Sequence, residues 1–376
     1  AAAAASEAAG SSGGERSLSA DLPLLSPRAE QAAGCPVASS SSSSSAAAAP
    51  ALCVQRVSSE SLSKGGEVGP CRLEGCLGTG KFGKVFLATN TETGQLEALK
   101  AVQAKGSAAK AARLELHFQS KLSHENIAQV FGAVLGPSHL FIRMEVAGNR
   151  NMFRVLQAHG PLNEEGARRV HLQLARAIEH CHGRGVAHRD IKPENIGVCG
   201  PDLEIKLLDF GLAVGTDCRC RSAAGTLPFT APEVMTASPL QLYEPAPADV
   251  WSSSVVLLEL LCGTGKLDGE IRQPKRRNAS SGEDPVDGPQ VADLATHMPI
   301  AATKLLQESF DVVPNGLLEL FGGTLRSTPG ERWTAGEVVS CRWMEDQDKD
   351  STWAPSSPSA SPTPPASVQS PASGST

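Results

Sequence analysis

A chain of 376 residues with 40% hydrophobic and 20% charged side chains can bury the core of one large domain or two ordinary ones, yet 36 glycines and 26 prolines mark part of it as something else. A formal charge of −6 argues against a protein that coats nucleic acid, and the best apolar run, 255–262, is shorter than the roughly 18 residues of a membrane span and contains Glu259. Ten cysteines with no C-x-x-C pair, and no basic-then-apolar leader pattern, point to reduced thiols in a soluble, cytoplasmic protein, and a first residue other than Met suggests a processed or incomplete chain.

Residues 1–67 are Ala/Ser-rich, with an unbroken serine run from Ser39 to Ser45, and residues 347–376 are rich in Ser and Pro. Neither end carries enough apolar surface to offset the entropy of ordering, so both are expected to be disordered tails. Between them, 68–346 has globular composition. Residues 72–77, 84–88 and 97–102 are short strand-like runs, 108–122 has helical composition, and 140–145 is another strand candidate. Beyond Gly148, Ala167, Val170, Leu174, Ile178 and Cys181 form one apolar stripe at three- and four-residue spacing, ended by Gly183 and Gly185. A second, almost wholly apolar helix is expected at 250–261, and 265–288 looks like a basic, polar surface loop. The expected fold is α+β: a small β-rich lobe over 68–147, then a larger helical lobe over 148–346.

Gly78-Thr79-Gly80-Lys81-Phe82-Gly83-Lys84-Val85 is a G-x-G-x-x-G-x-V run between two strands. Such glycines let a tight turn bring backbone N–H groups close to phosphate oxygens, although taken alone a flexible hairpin fits as well. A dinucleotide fingerprint needs a helix after the glycines, and a strand follows here. Fifteen residues beyond Val85 comes Lys100, inside a strand. The decisive stretch is His188-Arg189-Asp190-Ile191-Lys192-Pro193-Glu194-Asn195, followed by Asp209-Phe210-Gly211. Phosphoryl transfer needs a carboxylate near the acceptor hydroxyl, a cation on the transferring phosphate and oxygen ligands for a divalent metal, and this stretch holds all three.

On these motifs the sequence resembles the eukaryotic protein kinases over about 73–343. The resemblance implies a two-lobed fold with ATP in the cleft and Mg2+ as cofactor. Leu77 and the glycine loop through Val85 would cover the nucleotide, with Gly78, Gly80 and Gly83 over its phosphates. Val85 and Ala98 would sandwich the adenine, Met144 would guard the back of the pocket, and residues 145–147, from Glu145 to Ala147, would form the hinge. Lys100 would hold the α- and β-phosphates and pair with Glu115, nine residues before His124. Asp190 would be the catalytic base, Lys192 a transition-state cation, and Asn195 and Asp209 the metal ligands. Lys192 two places after Asp190, with Gly225-Thr226 before Ala231-Pro232-Glu233, is the serine/threonine form, so protein hydroxyls are the expected acceptors. Glu233 would pair with Arg332, and Asp249 would hold the catalytic loop's backbone. Ser222, three residues before Gly225, matches an activation-segment phosphosite, and Arg189 would receive the phosphate.

A closer resemblance, to the SH3-domain-binding serine/threonine kinases, rests on Cys218-Arg219-Cys220-Arg221, the Thr-Ala-Pro-Glu ending at Glu233, and His182-Gly183-Arg184. Pro355-Ser356-Ser357-Pro358 and Pro362-Thr363-Pro364-Pro365 add P-x-x-P segments of the kind SH3 grooves accept, so SH3 proteins join protein substrates as expected partners, with no nucleic acid or membrane span. Some residues depart from the kinase pattern. Gln119 takes an internal apolar position unless Leu114 and Phe118 re-register the helix, Ser254 replaces a glycine, and Asn151 replaces an acidic residue near the acceptor groove. His180, Cys181 and His182 are better read as packing than as metal ligands. Cys218 and Cys220, beside arginines, suggest a redox brake, and Lys275-Arg276-Arg277 a nuclear signal or a solvated loop. The rival reading is a pseudokinase that uses the fold as a scaffold.

Overall fold

Between Val85 and Asn90, Phe86, Ala88 and Asn90 are buried while Val85 and Leu87 are only half-buried, the two-residue period of a strand with one face on a core. A computed structural model of the chain describes residues 54–58, 61–80, 83–148, 150–271 and 291–345. In the first lobe β1 (Val54–Arg56), β2 (Glu67–Val68), β3 (Cys71–Gly80), β4 (Gly83–Asn90), β5 (Leu96–Gln103), β6 (Val130–Leu135) and β7 (His139–Met144) form a seven-stranded sheet, with α1 (Gly106–Gln119) between β5 and β6. The order is β1-β6-β7-β5-β4-β3-β2, antiparallel except for the outermost pair β1–β6. β5 is central and buried from Glu97 to Val102, which explains why its residues do not alternate.

The sheet begins earlier than the composition suggests. Val54–Arg56, counted above with the N-terminal tail, pairs in parallel with β6, Val54 opposite Ala133 and Arg56 opposite Leu135. Val54 also packs on the apolar cluster of Val102, Leu116, Val130 and Ile142 that joins α1 to the sheet. Residues 1–53 and 346–376, with both P-x-x-P segments, and the basic run 275–277 lie outside the described residues.

A polar network that the sequence does not announce crosses β3, β4, β5 and β7. Buried Glu97 accepts from Arg143 Nη2 at 2.7 Å and Nε at 2.8 Å, from Asn90 Nδ2 at 2.7 Å, and from Cys71 Sγ at 3.5 Å. Burial alone would raise the Glu97 carboxyl, but these bonds outweigh it and hold its pKa below the ordinary value, whereas burial pushes the Cys71 thiol up to about 12. The pair is bidentate and the carboxylate takes two further donors, the condition under which a buried ion pair is tolerated.

The second lobe holds β8 (Arg150–Asn151), α2 (Met152–His159), α3 (Glu164–Gly183), β9 (Val186–Ala187), β10 (Ile196–Cys199), β11 (Glu204–Leu207), β12 (Val214–Gly215), α4 (Pro232–Met235), α5 (Pro245–Cys262), α6 (Lys266–Ile271), α7 (Val291–Ser309), α8 (Asn315–Thr324), α9 (Ala335–Val339) and α10 (Arg342–Glu345). Asn163 caps α3, its Oδ1 accepting the Gly166 N–H at 2.9 Å. The stripe from Ala167 to Cys181 is buried and joins a core that includes α5. Fully burying Leu174 and Ile178 contributes about 1.5–3 kcal/mol each before the entropy of ordering. The expected loop at 265–288 starts instead as a helix: α6 seats Leu267 in the core, an apolar anchor among polar neighbours, and residues 272–290 lie outside the described residues. Among the described residues no helix is long and apolar enough to cross a membrane. The architecture is α+β in two lobes, a β-sheet lobe and a helical one.

Candidate active site

The two lobes meet at Lys100. Its place on central β5 aims its Nζ at Glu115 of α1, 2.9 Å from Oε1 and 2.7 Å from Oε2, and at Asp209 Oδ1 at 3.0 Å. Burial works against the Lys100 charge, but the two carboxylates outweigh it and raise its pKa. Burial pushes Glu115 up, with Lys100 opposing, and would raise Asp209 too, yet Lys100 carries Asp209 below its ordinary value. One cation thus faces two carboxylates in a shielded place, leaving net negative charge there. Asp209 has φ 62, a left-handed conformation that costs a non-glycine residue about 1–3 kcal/mol and clusters at functional sites.

β3 and β4 form a hairpin with Gly78 opposite Val85, Thr79 opposite Lys84 and Gly80 opposite Gly83. The tip residues Lys81 and Phe82 lie outside the described residues. Gly83 has φ 148, and a Cβ there would run into the Ala101 carbonyl oxygen, so protein packing explains that glycine. At Gly78 a Cβ would meet no atom of the described residues within 4 Å, so their packing does not. Leu77 and Lys84 are exposed. Ala98 pairs with Met144 and Val85 with Lys100, bringing together the four positions expected to flank a nucleotide base and phosphates. Glu145 donates its N–H to Gln129 O at 2.8 Å, and its Oε1 is 2.8 Å from Lys206 Nζ of β11, a tie between hinge and second lobe that sequence reading missed. The backbone at 147–148 lies so close to β10 that side chains at Gly148 and Gly197 would strike the Val198 and Ala147 carbonyls.

Residues 188–195 form a loop between β9 and β10, closed by a 3₁₀ turn at Pro193–Asn195. Asp249, buried at the start of α5, accepts the His188 N–H at 2.8 Å and the Arg189 N–H at 2.7 Å, and pairs with His182 Nε2 at 2.9 Å. Burial would raise the Asp249 carboxyl, but His182 and these N–H groups hold it below its ordinary value. The clamp holds Arg189 at φ 69 and presents Asp190. Asp190 Oδ2 takes Lys192 Nζ at 2.7 Å and Asn195 Nδ2 at 3.0 Å, while Oδ1 takes the Thr226 hydroxyl at 3.2 Å. Thr226 Oγ1 in turn accepts from Lys192 at 2.9 Å. Asn195 Nδ2 donates also to Asp190 O at 2.8 Å, so its amide oxygen is the atom left to ligate a cation. Phe210 is fully buried with its ring 4.7 Å from that of His188. Arg332 pairs with Glu233, Nη1–Oε1 being 2.7 Å.

The departures from pattern have local explanations. Gln119 stays inside at 1% exposure, and Leu114 and Phe118 do not displace it. Its Nε2 donates to Ala128 O at 2.6 Å, while Oε1 is buried without a partner among the described residues. Because an orphaned polar atom costs about 1–3 kcal/mol and the bond contributes about 0.5–1.5, Gln119→Met is expected to leave thermal stability within about 1 kcal/mol. A much larger fall in the melting temperature would mean that Oε1 has a partner. Ser254 is buried and donates to Val250 O at 3.1 Å, one turn back in α5. Asn151 caps α2, its Oδ1 accepting Arg154 N–H at 3.0 Å and its Nδ2 donating to Glu194 O at 3.1 Å. His182 belongs to Asp249, Cys181 is buried, and no cluster of His, Cys, Asp or Glu suited to a metal occurs among the described residues.

A two-lobed fold whose cleft gathers a lysine–carboxylate pair, a clamped aspartate loop and a glycine hairpin defines the protein kinase class. The family model for the protein kinase domain matches residues 72–344, and the chain belongs to that family. It is 31% identical over 244 residues to putative sperm motility kinase W of Mus musculus, covering 63% of this chain and 46% of that protein. It is 33% identical over 228 residues to the carbon catabolite-derepressing protein kinase of Saccharomyces cerevisiae, covering 59% and 35%. Against CBL-interacting serine/threonine-protein kinase 26 of Arabidopsis thaliana it is 36% identical over 205 residues, 52% and 46%. The matched stretch thus spans about half or less of each of these relatives.

Proposed function

We propose that the chain is a catalytically competent serine/threonine protein kinase, passing the γ-phosphoryl group of ATP to Ser and Thr hydroxyls of protein substrates. The observation that carries this reading is the joint assembly of both halves of the site: Lys100 closed on Glu115 and Asp209, and Asp190 held by Lys192, Asn195 and Thr226. Lys100 is the cation for the α- and β-phosphates, and Glu115 fixes its direction. Gly78, which the packing of the described residues does not require, supports backbone approach to a phosphate chain.

Asn195 and Asp209 suit a divalent ion: oxygen donors in a net negative site, one of them a carboxylate held ionised by Lys100. Magnesium held there would supply neutralisation of the phosphate charge. Asp190 orients the acceptor hydroxyl and takes its proton, and Lys192, 2.7 Å from Asp190, lies where charge develops on the transferred group. Thr226, bonded to both, ties the acceptor platform to these two groups and supports the Ser/Thr reading. Asn151 serves as a helix cap rather than an acidic contact, so no selection for arginine upstream of the acceptor is expected from it.

The full chain incubated with γ-labelled ATP, Mg2+ and a Ser/Thr peptide array is expected to transfer label, with none transferred by Asp190→Ala. ATP binding without transfer would establish the scaffold reading instead. The resemblance to SH3-domain-binding kinases extends the proposal to SH3 partners for the two P-x-x-P segments, which deletion of residues 351–376 and an SH3 binding assay would test. The scattered cysteines support a cytoplasmic setting.

A further inference from the structure

Arg189, next to the catalytic aspartate, is the residue expected to receive a phosphate on Ser222. In the folded chain its guanidinium already has partners. Nε donates to the Tyr243 hydroxyl at 3.0 Å, Nη2 to Ser222 O at 3.3 Å and Nη1 to Leu212 O at 3.5 Å, and the guanidinium carbon lies 5.8 Å from the centre of the Tyr243 ring. All three acceptors are uncharged. The Tyr243 hydroxyl closes the circuit by donating to the same Ser222 O at 3.5 Å.

Tyr243 is the chain's single tyrosine, 4% exposed, just ahead of α5. Its backbone is joined to the activation segment in both directions: Cys220 N–H to Tyr243 O at 2.9 Å, and Tyr243 N–H to Cys220 O at 3.0 Å. Arg219 and Glu244 add an ion pair of 2.7 Å, half-exposed and so worth little. The segment at 219–222 is therefore sewn both to the stretch before α5 and to Arg189. In the usual electrostatic logic, a phosphate on such a segment orders it by pairing with an arginine. Here a buried phenol holds the same arginine, and the Ser222 side chain remains exposed. Burial pushes the Tyr243 phenol up to about 12, with Arg189 opposing, so the hydroxyl stays a neutral donor and acceptor through the working range.

We propose that Tyr243 is a positioning residue that, through Arg189 and the backbone of Cys220 and Ser222, holds the activation segment in its working arrangement without phosphate on Ser222. The inference rests on the kinase reading above. It implies that phosphorylation at Ser222 is dispensable rather than the event that orders the segment.

The test uses the full chain made with a co-expressed phosphatase, its bare state verified by intact mass, beside a form carrying genetically encoded phosphoserine at 222. Peptide phosphorylation is read as kcat per nucleotide-binding site, with sites counted by ATP titration, so that a fall in folded material lowers the count and leaves kcat alone. The bare chain and Ser222→Ala are expected to turn over at rates comparable to the phosphoserine form. Tyr243→Phe, which keeps the ring and loses both the bond from charged Arg189 and the longer one to Ser222 O, is expected to lower kcat about tenfold or more with the ATP KM unchanged. Phosphoserine at 222 should restore much of that loss by giving Arg189 a charged partner. Full kcat in Tyr243→Phe, or activity confined to phosphoserine forms, overturns the proposal while leaving the kinase reading intact. Silence of every form despite ATP binding overturns both.

Discussion

Asp190→Asn is expected to lower kcat by ~10²–10⁴-fold, the range for loss of a positioned general base, with ATP affinity by calorimetry nearly unchanged. The asymmetry follows from where the contacts go. Lys100, Glu115 and Asp209 make their mutual contacts on the nucleotide side, whereas Asp190 is bonded to Lys192, Asn195 and Thr226. A carboxylate offers about four lone-pair directions, and these three donors occupy three of them, leaving one for an acceptor hydroxyl. The amide is the sharper variant. Its oxygen can still face Asn195, and the Thr226 hydroxyl can rotate to accept from its NH2, so the loop keeps its shape and loses its base. Asp190→Ala instead leaves Lys192 without its carboxylate and mixes electrostatic disturbance with lost chemistry. Steady-state kinetics at saturating ATP separate the two variants. A kcat for Asp190→Asn within tenfold of the parent would mean that transfer does not use this carboxylate.

The loop half of the candidate site was legible because its residues are contiguous. Asp190, Lys192 and Asn195 sit in one loop and bond one another there, although Asp249, Thr226 and Tyr243 hold that loop from farther along the chain. The Lys100–Glu115 pair was readable through resemblance, since no periodicity links a lysine in a strand to a glutamate fifteen residues on. What escaped depended on partners far away in sequence. β1 draws its bonds from β6, and nothing in Val54-Gln55-Arg56 separates it from an Ala/Ser-rich tail. Glu97 and Arg143 lie 46 residues apart, and a charged residue in a strand reads as solvent-facing until its partner is known. Tyr243 lies 54 residues beyond Arg189, a lone aromatic with no pattern around it. Asn151 is different: Asn directly before a helical run is a cap signature, and a local reading could have found it.

The second large effect is on stability. Arg332 engages all five of its N–H donors: Nη1 to Glu233 Oε1 at 2.7 Å and Pro247 O at 2.8 Å, Nη2 to Glu233 Oε2 at 3.1 Å and Arg326 O at 2.8 Å, and Nε to Arg326 O at 3.2 Å. Its guanidinium carbon also lies 5.1 Å from the Trp251 ring centre. One buried side chain therefore joins the end of the activation segment, the start of α5 and the turn before α9. Arg332→Ala leaves the Glu233 carboxylate without its cation and removes the bonds donated to Pro247 O and Arg326 O, and breaking such a pair from one side costs about 3–5 kcal/mol. For a domain of this size that corresponds to a fall in melting temperature of roughly 6–20 °C at 2–4 °C per kcal/mol. Arg332→Lys keeps the charge but replaces a planar fork of five donors with three on a point cation, so an intermediate loss is expected. The informative variant is the pair Glu233→Leu with Arg332→Met, which removes both charges together. Because most of the single-variant cost is the stranded partner rather than the net worth of the pair, this double variant should melt above Arg332→Ala. Calorimetry placing it at or below the single variant would show instead that the ion pair is strongly stabilising in its own right.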